Sequence, residues 1–321
     1  TTVLCVDKTG TLTENRMVIR KLYSGGPMPD KNRLLQVDSR SPLPEPWHEL
    51  VEFGILASER DPFDPMERAL HELGLRTLSG TEHLHQDWRI VHEYSLSPGL
   101  LAMSHVWQGD EQKHHMVAAK GAPEAIIDLC HLPEAQAASI AQAAAEMAGQ
   151  GLRVLGVARA ALEPGQISEH QWPAQQHDIE FAFVGLLGLQ DPLRADVPEA
   201  IAQCRTAGIR VVMITGDHAR TAQAIAAELG LPSGQVLTGS ELDSMPDEAL
   251  RARLSDVQVF ARIVPQQKLR LVEAFKANGE IVAMTGDGVN DAPALKAAHI
   301  GVAMGITGTD VSKEASAMIL T

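Results

Sequence analysis

The chain has 321 residues, which is enough for two domains if a domain takes about 150 residues. Hydrophobic residues make up 45% of the chain and aromatic residues only 4%, so we expect a mostly aliphatic, alanine-rich core. The net charge of −14 argues against a nucleic-acid-binding protein, which usually has a basic surface, but it is compatible with a phosphate held by Mg²⁺ and a few local cations.

Cysteine spacing and hydropathy exclude two further classes. The three cysteines are scattered without CxxC spacing, which is typical of reduced thiols in a cytosolic protein and gives no sign of a zinc site: Cys5, Cys130 and Cys204. No stretch reaches the roughly 18 apolar residues that span a bilayer. Because the sequence begins inside one predicted strand and stops just after another, we expect it to be part of a larger protein.

The first predicted element is a short buried strand, residues 3–6, which ends at Asp7. Open α/β sheets bind ligands beyond the carboxyl ends of their strands, so Asp7 is a candidate nucleophile or metal ligand. Thr9, Gly10 and Thr11 can offer hydroxyl and backbone N–H groups to an anion. A bare apolar run before an aspartate is more often a strand that enters a polar turn, and this alternative stays open here.

The next segment, residues 21–48, is rich in Pro, Gly, Ser and Asp and predicts irregular strands and loops. A helical pattern follows over residues 47–59. Asp64 then matches a helix N-cap, with Pro65 at the first helical position. Glu67 occupies the third position, where a capping-box glutamate is expected.

Strand patterns recur over residues 88–119, with a predicted hairpin turn at 108–111. Lys120 and Gly121 follow at a strand end, where a lysine can reach a phosphate or a purine, although a lone lysine there is usually only solvated. The predicted elements that follow are a helix (123–129), a long helix (133–150), a strand (151–158), a polar hinge-like segment (166–177) and a strand (181–189).

From about residue 195 strands alternate regularly with helices, and the strands end in polar residues. We predict helices at 195–207, 219–229, 265–276 and 292–298, and strands at 210–214, 258–262, 281–284 and 300–304. Such repeats imply an α/β fold with a doubly wound parallel sheet. We therefore predict one α/β domain (1–20 and 189–321) that is split by an inserted mixed α+β domain (21–188), with the two linkers as a hinge.

Three strands of this sheet end in acidic or hydroxyl motifs, which should meet at one edge: Asp7, residues 215–217 and residues 287–291. Asp7 and Asp287, with a backbone carbonyl and a phosphate oxygen, would form an all-oxygen site that suits Mg²⁺. Lys268 would neutralise a transferring phosphoryl group, and hydrogen-bond donors would hold its oxygens: Thr215, Gly216 and Asn290. Each piece alone is weak, since Thr-Gly-Asp is more often a helix cap, but their order and spacing together favour the site.

Several segments resemble the motifs of P-type ATPases, ion pumps that pass through an aspartyl-phosphate and have a haloacid dehalogenase superfamily core. The segments are Asp-Lys-Thr-Gly-Thr-Leu-Thr (7–13), Pro-Met-Glu-Arg-Ala-Leu (65–70), Lys-Gly-Ala-Pro-Glu (120–124), the hinge motif Asp-Pro-Leu-Arg (191–194) and Thr-Gly-Asp-Gly-Val-Asn-Asp-Ala-Pro-Ala-Leu (285–295). The resemblance covers the whole chain. It extends to the type 2, calcium-pump-like group through residues 64–67, 120–123 and 305–316.

The resemblance implies that ATP is bound with Mg²⁺ and that its γ-phosphate passes to Asp7, coupled to cation transport. It assigns catalysis to Asp7, Thr215, Lys268, Asp287, Asn290 and Asp291, and metal binding to Asp7, Thr9 and Asp287. It assigns nucleotide contacts to Thr9, Glu67, Leu96, Lys120, Gly121, Arg153, Thr215, Gly216, Asp217, Arg262, Lys268 and Asn290. The expected partners are the membrane and actuator domains of the same pump. We expect a soluble, monomeric fragment at the cytoplasmic face of a membrane, with no nucleic-acid partner.

The chain departs from the related patterns in two places. Superfamily phosphatases usually carry a second aspartate two residues after the nucleophile, but here that residue is Thr9, so an aspartyl-phosphate should persist. In calcium pumps a phenylalanine stacks on adenine; here Leu96 replaces it, and Leu101 replaces a lysine. Leucine gives no π-stacking, so we expect weak ATP affinity or a shifted adenine, with Tyr94 as a substitute ring.

Two alternative functions stay open. A free-standing phosphatase is disfavoured by Thr9, and a non-catalytic nucleotide-sensing module requires that the changes at Leu96 and Leu101 abolish ATP binding. The sequence does not name the transported ion, because residues within the membrane would select it.

Overall fold

The computed structural model describes residues 1–26, 33–38, 41–85, 87–97, 99–109, 115–163, 172–232 and 234–321. The strands are β1 (Val3–Asp7), β2 (Val18–Ser24), β3 (Leu34–Gln36), β4 (Arg89–Tyr94), β5 (Ala102–Gln108), β6 (His115–Gly121), β7 (Arg153–Leu162), β8 (Ala182–Gln190), β9 (Arg210–Ile214), β10 (Gln235–Thr238), β11 (Val257–Ala261), β12 (Val282–Gly286), β13 (Ile300–Met304) and β14 (Met318–Leu320). The helices are α1 (His48–Leu56), α2 (Pro65–Thr77), α3 (Pro123–Leu129), α4 (Glu134–Gly149), α5 (Val197–Thr206), α6 (Ala219–Glu228), α7 (Gly239–Ser244), α8 (Asp247–Arg253), α9 (Pro265–Ala277), α10 (Ala292–Ala297) and α11 (Asp310–Ala315).

These elements form two compact units. The first contains Thr1–Asn15, Gly149–Gly151 and Asp191–Thr321, and the second contains Arg16–Ala148 and Leu152–Gln190. Strand β2 begins at Val18 and pairs within the second unit, so it crosses the boundary at residue 20 that the sequence suggested. The predicted boundaries themselves stay a prediction.

The first unit is built on a seven-stranded parallel sheet in the order β10-β11-β9-β1-β12-β13-β14. Its strands read as continuous apolar runs because helices cover both faces. Val3 and Cys5 of β1 pack on one face with residues of α9, whereas Val6 packs on the other with residues of α5 and α6. The predicted doubly wound α/β fold is thereby confirmed.

The second unit is built on a seven-stranded antiparallel sheet in the order β3-β2-β8-β7-β6-β5-β4. Side chains of α1 and α2 pack on one face around Ala118 and Val157, and side chains of α3 pack on the other around Val117 and Ala119. The mixed α+β character predicted for the insert is therefore present. The predicted hairpin turn at 108–111 and the polar segment at 166–177 lie partly outside the described residues.

No helix among the described residues has both the length and the apolar character needed to cross a bilayer.

Candidate active site

Asp7 ends the central strand of the parallel sheet. Strand β1 lies between β9 and β12, with Asp7 beside Ile214 and Val6 beside Thr285. The chain leaves these three strands at the same sheet edge, and the strand order changes direction there, which is where open α/β sheets bind their ligands. The sequence motifs after β1, β9 and β12 therefore meet as predicted.

A buried lysine joins two of the aspartates at this edge. The Lys268 Nζ lies 3.1 Å from Oδ1 of Asp7 and donates to Oδ1 of Asp291 at 2.6 Å. Asp7, Asp291 and Lys268 are all at most 9% exposed. Because each charge has an opposite partner at hydrogen-bond distance, the structure can keep all three groups out of water.

The start of α9 places Lys268. Pro265 occupies the first helical position, and the Gln267 side chain accepts a hydrogen bond from the Val264 N–H at 3.0 Å. The same side chain donates to the Gly239 carbonyl at 3.0 Å and ties the helix start to α7. Lys268 thus projects from the first turn of a helix that is fixed at its N-terminus.

Asp287 lies against the glycine of the first motif. Gly10 has a φ of +73°, and a Cβ built on it would lie 2.0 Å from Oδ2 of Asp287. The backbone carbonyl of Asp287 accepts hydrogen bonds from the Thr309 N–H at 2.8 Å and the Ser312 hydroxyl at 3.1 Å. Only glycine satisfies both the left-handed backbone and the close approach at position 10.

Burial dominates the titration of these groups. Burial raises the pKa of Asp7 from 3.8 to about 6, even though Lys268 lowers it. Burial, and then Asp291, likewise raise the pKa of Asp287. Burial acts to lower the pKa of Lys268, but Asp7 and Asp291 outweigh it and raise that pKa above its ordinary value. The lysine is therefore charged at neutral pH, and most Asp7 carboxyls are ionised there.

The carboxylates fit a hard divalent cation. Asp7, Asp287 and Asp291 each offer one oxygen, and these three oxygens lie within 4.8 Å of one another. Mg²⁺ prefers oxygen ligands and commonly takes one or two carboxylates. Since Asp291 is already bonded to Lys268 and to the Gly288 N–H at 3.1 Å, Asp7 and Asp287 are the better ligands.

The other predicted residues of this edge are arranged around Asp7. Thr215 is buried and its hydroxyl accepts a hydrogen bond from the Asp217 N–H at 3.1 Å. Asp217 forms an ion pair of 3.0 Å with Lys8, and its carbonyl accepts from the Arg262 N–H at 2.9 Å. Three predicted contact residues are exposed at the ends of their strands or in the following turn: Thr9, Gly216 and Asn290.

Sequence reasoning missed how the first motif is fastened. Arg194 donates to the carbonyls of Gly10 and Thr11 at 3.1 and 3.2 Å, and the Thr13 hydroxyl donates to Asp191 at 2.6 Å. The sequence of the Asp-Pro-Leu-Arg segment indicates only a hinge. Its arginine and aspartate also hold the loop that follows Asp7, which no spacing in the sequence predicts.

A second buried cluster lies in the second unit. The Lys120 Nζ donates to Oε1 of Glu67 at 2.5 Å and to the Ser58 hydroxyl at 2.7 Å. Oε2 of Glu67 accepts from the Glu59 N–H at 3.3 Å. Burial lowers the pKa of Lys120, and Glu67 partly opposes this effect. Glu67 and Lys120, which the resemblance assigned to the nucleotide, therefore lie in one cluster.

This geometry overturns the capping-box interpretation of Glu67. Asp64 does cap α2, since its carboxylate accepts from the N–H groups of Met66 and Glu67 at 2.7 and 3.3 Å. The Glu67 side chain instead contacts Glu59 and Lys120. A buried lysine is a stronger partner for the carboxylate than an exposed N–H would be.

The remaining nucleotide residues lie around the antiparallel sheet. Gly121 ends β6 next to Lys120, Leu96 is 59% exposed beyond the end of β4, and Arg153 is exposed at the start of β7. Tyr94 packs against the core on the face of the sheet that α3 covers. Lys120 lies two residues after Ala118 in β6, so its side chain points to the opposite face, which α1 and α2 cover. The Tyr94 hydroxyl donates to the Pro173 carbonyl at 2.8 Å. The Tyr94 ring and the Lys120 side chain therefore lie on opposite faces of the sheet, and Tyr94 as a substitute stacking ring stays a prediction.

The fold and the group of Asp7, Lys268 and Asp287 at the edge of the parallel sheet define a class of protein. Sequence comparison identifies the same class. The haloacid dehalogenase-like hydrolase family matches residues 1–299, and the chain belongs to that family. The match includes Asp7, Lys268 and Asp287, the residues of the sheet edge described above.

Within this class the chain is similar over its whole length to cation-transporting ATPases. It is 34% identical to a calcium-transporting ATPase of Bacillus subtilis, over 99% of this chain and 39% of the relative. It is 37% identical to calcium-transporting ATPase 1 of Bacillus cereus, over 100% and 37%. It is 38% identical to the probable cation-transporting ATPase F of Mycobacterium bovis, over 100% and 39%. The resemblance to P-type cation-transporting ATPases is thereby confirmed, and the chain spans about two-fifths of the length of these relatives.

Proposed function

We propose that this chain is the phosphorylation and nucleotide-binding part of an ATP-driven cation pump. In this proposal the second unit binds ATP and Asp7 receives its γ-phosphate. The observation that carries the proposal is the buried Asp7–Lys268–Asp291 arrangement at the centre of the parallel sheet, with Asp287 beside it. The named activities of the relatives support the same conclusion.

The residues at the sheet edge suit phosphoryl transfer. An oxygen of Asp7 forms a bond to the γ-phosphorus while the bond between that phosphorus and the β,γ-bridging oxygen breaks, and ADP leaves with the electron pair. Lys268 stabilises the charge on the phosphoryl oxygens, and Thr215, Gly216 and Asn290 donate hydrogen bonds to them. When bound by Asp7 and Asp287, with a backbone carbonyl from the Thr9 segment, Mg²⁺ supplies further positive charge.

The second unit is proposed to hold the nucleotide through the Glu67–Lys120 pair. Lys120 donates to Ser58 as well, so it is held in place before any ligand arrives. Leu96 offers an apolar surface for adenine without stacking, and Arg153 offers a cation for the phosphates. Gly121 is a further proposed contact of this unit, and the proposed contacts Asp217 and Arg262 belong to the first unit.

The phosphoenzyme is proposed to persist in this chain. The residue two positions after Asp7 is the exposed Thr9, which supplies no general base. An actuator domain of the full-length pump would supply the hydrolytic step, and its membrane domain would couple that step to cation movement. This arrangement would put the chain at the cytoplasmic face of the membrane.

Acid-stable labelling with γ-³²P-ATP and Mg²⁺ tests the proposal. We expect label that hydroxylamine removes, that Asp7→Asn abolishes and that Asp243→Asn, an exposed carboxylate of the same unit, retains. Label that survives in Asp7→Asn would refute the assignment of Asp7. If this chain hydrolyses a simple phosphate ester fast and Asp7→Asn abolishes that activity, the result would favour a free-standing phosphatase. The hydrolase family match is compatible with that alternative.

A further inference from the structure

A second cluster of metal-ligating groups lies in the second unit. One oxygen each of Glu59 and Glu93 and one ring nitrogen of His105 lie within 4.8 Å of one another. Neither the proposed phosphoryl transfer nor the nucleotide contacts use these three side chains. We propose that they form a binding site for a first-row transition-metal ion, with Zn²⁺ as the ion that fits best.

The antiparallel sheet fixes two of the three groups. Glu93 of β4 and His105 of β5 are directly paired residues on neighbouring strands, so their side chains point to the same face. Glu59 follows α1, and its N–H donates to Oε2 of Glu67 at 3.3 Å, which anchors the backbone beside the site. A donor set on a strand pair and an anchored segment needs little rearrangement to close around an ion.

The buried imidazole has a polar atom that the protein leaves unsatisfied. His105 is 1% exposed, and its Nδ1 is buried without a hydrogen-bond partner. The nearby Leu56 carbonyl already accepts a hydrogen bond from the Trp107 indole at 2.7 Å. A buried ring nitrogen without a partner is costly, and ligation of an ion through Nδ1 itself would offset that cost.

The chemistry of the donors selects the ion. One imidazole nitrogen and two carboxylate oxygens are ligands that Zn²⁺ accepts in four-coordinate sites with one open position, whereas Mg²⁺ and Ca²⁺ prefer oxygen alone. Both carboxylates are exposed and the imidazole is buried, so the open position would face solvent. The charge of Lys120 acts to lower the pKa of His105. The Lys120 ammonium group is paired with Glu67, so the carboxylates of Glu59 and Glu93 are left available to a cation.

Calorimetric titration of the whole chain with Zn²⁺, in the presence of excess Mg²⁺, tests this site. We expect Glu59→Gln and Glu93→Gln each to weaken one Zn²⁺ site by at least about 10-fold, as loss of a ligand should exceed the loss of an outer-sphere partner. Glu82→Gln, an exposed glutamate of the same unit, should bind as the parent does. Because Glu59 and Glu93 are exposed, we expect both variants to fold, and circular dichroism checks this.

Substitution with Co²⁺ gives a second readout. We expect bound Co²⁺ to show visible absorption bands typical of nitrogen and oxygen ligands. Zn²⁺ should displace the Co²⁺ and abolish these bands, and His105→Gln should prevent their appearance. Coincident Zn²⁺ titrations of the parent, Glu59→Gln and Glu93→Gln would overturn the proposal. So would an equal loss of affinity in Glu82→Gln, which would mean unspecific binding to an acidic surface.

Discussion

At the scale of single residues, the ionised carboxylate of Asp7 is buried at a cost that a bound cation would reduce. Its pKa in the folded protein is raised from 3.8 to about 6 by burial, with Lys268 opposing. A raised carboxyl pKa means that protonation stabilises the fold: this contribution is fully present below pH 3.8 and is lost as the pH rises through about 6. Above that pH and without metal, ionised Asp7 therefore destabilises the protein.

Asp7→Asn should remove this effect. In EDTA at about pH 7.5 we expect the variant to be more stable than the parent by about 2–3 kcal/mol, with the difference disappearing as the pH falls towards about 4. Mg²⁺ should then stabilise the parent but not the variant. Urea unfolding at several pH values measures both effects, and Asp243→Asn is the control. A difference that is independent of pH would contradict the assigned cause.

Gly10→Ala tests the approach of Asp287 to the first motif. The added methyl group would collide with the carboxylate of Asp287, the proposed metal ligand, so we expect labelling of Asp7 by ATP to fall more than about 10-fold. Gly279→Ala is the matched control, because Gly279 has a φ of +83° and no atom within 4 Å of the added Cβ. Both variants should lose about 1 kcal/mol to backbone strain, and only the first should lose labelling. Equal labelling in the two would show that Gly10 serves the turn alone.

At the scale of elements, the Glu67–Lys120 pair connects α2 to β6. Removing one partner of a buried ion pair leaves an uncompensated charge, so Lys120→Met should cost about 3–5 kcal/mol. Adding Glu67→Gln should recover part of that loss, giving a coupling of about 1–3 kcal/mol in a double-mutant cycle. Urea unfolding followed by tryptophan fluorescence measures it.

The exposed Glu49–Arg159 pair gives the comparison for this cycle. Its side chains are 47% and 46% exposed and their charged atoms lie 2.8 Å apart. We expect a coupling below about 1 kcal/mol there, because water screens the charges. Similar couplings for the two pairs would mean that burial does not strengthen the Glu67–Lys120 interaction.

The regular elements of the first unit were predictable because three signals gave the same boundaries. These signals are apolar runs in the strands, glycines after the ends of helices and prolines at the starts of helices. The predicted strands at 210–214 and 300–304 have the observed bounds, and the predicted helix at 265–276 is one residue shorter than α9. The segment β10, α7 and α8 was not predicted, since these elements are short and their apolar residues follow no clear period.

The candidate sites were predictable in part. Strand ends in a parallel sheet converge, so the grouping of Asp7, Thr215 and Asp287 followed from topology. The contacts of Lys268 with Asp291 and of Arg194 with the loop after Asp7 depend on side-chain reach between distant elements, which local patterns do not encode. The sheet face on which Tyr94 lies could not be predicted for the same reason, because it depends on the pairing of β4 with β5.

At the scale of the whole molecule, the two units have separate cores and different optical probes. All four tryptophans lie in the second unit: Trp47, Trp88, Trp107 and Trp172. Separate cores favour unfolding in more than one step. We therefore expect Asp7→Asn to shift part of the urea transition seen by circular dichroism while leaving the tryptophan fluorescence midpoint unchanged. Equal shifts in both signals would show that the units unfold together.

The central place of β1 also has a consequence for synthesis on the ribosome. Residues 3–7 pair with residues 210–214 and 282–285, whereas every strand of the second sheet comes from residues 18–190. At about 5–20 residues per second, β1 waits roughly 10–40 s for its first partner to be made, while the antiparallel sheet can already close. The strand that carries the proposed phosphate acceptor therefore leaves the ribosome well before either of the strands that pair with it, which makes it a natural client for chaperones.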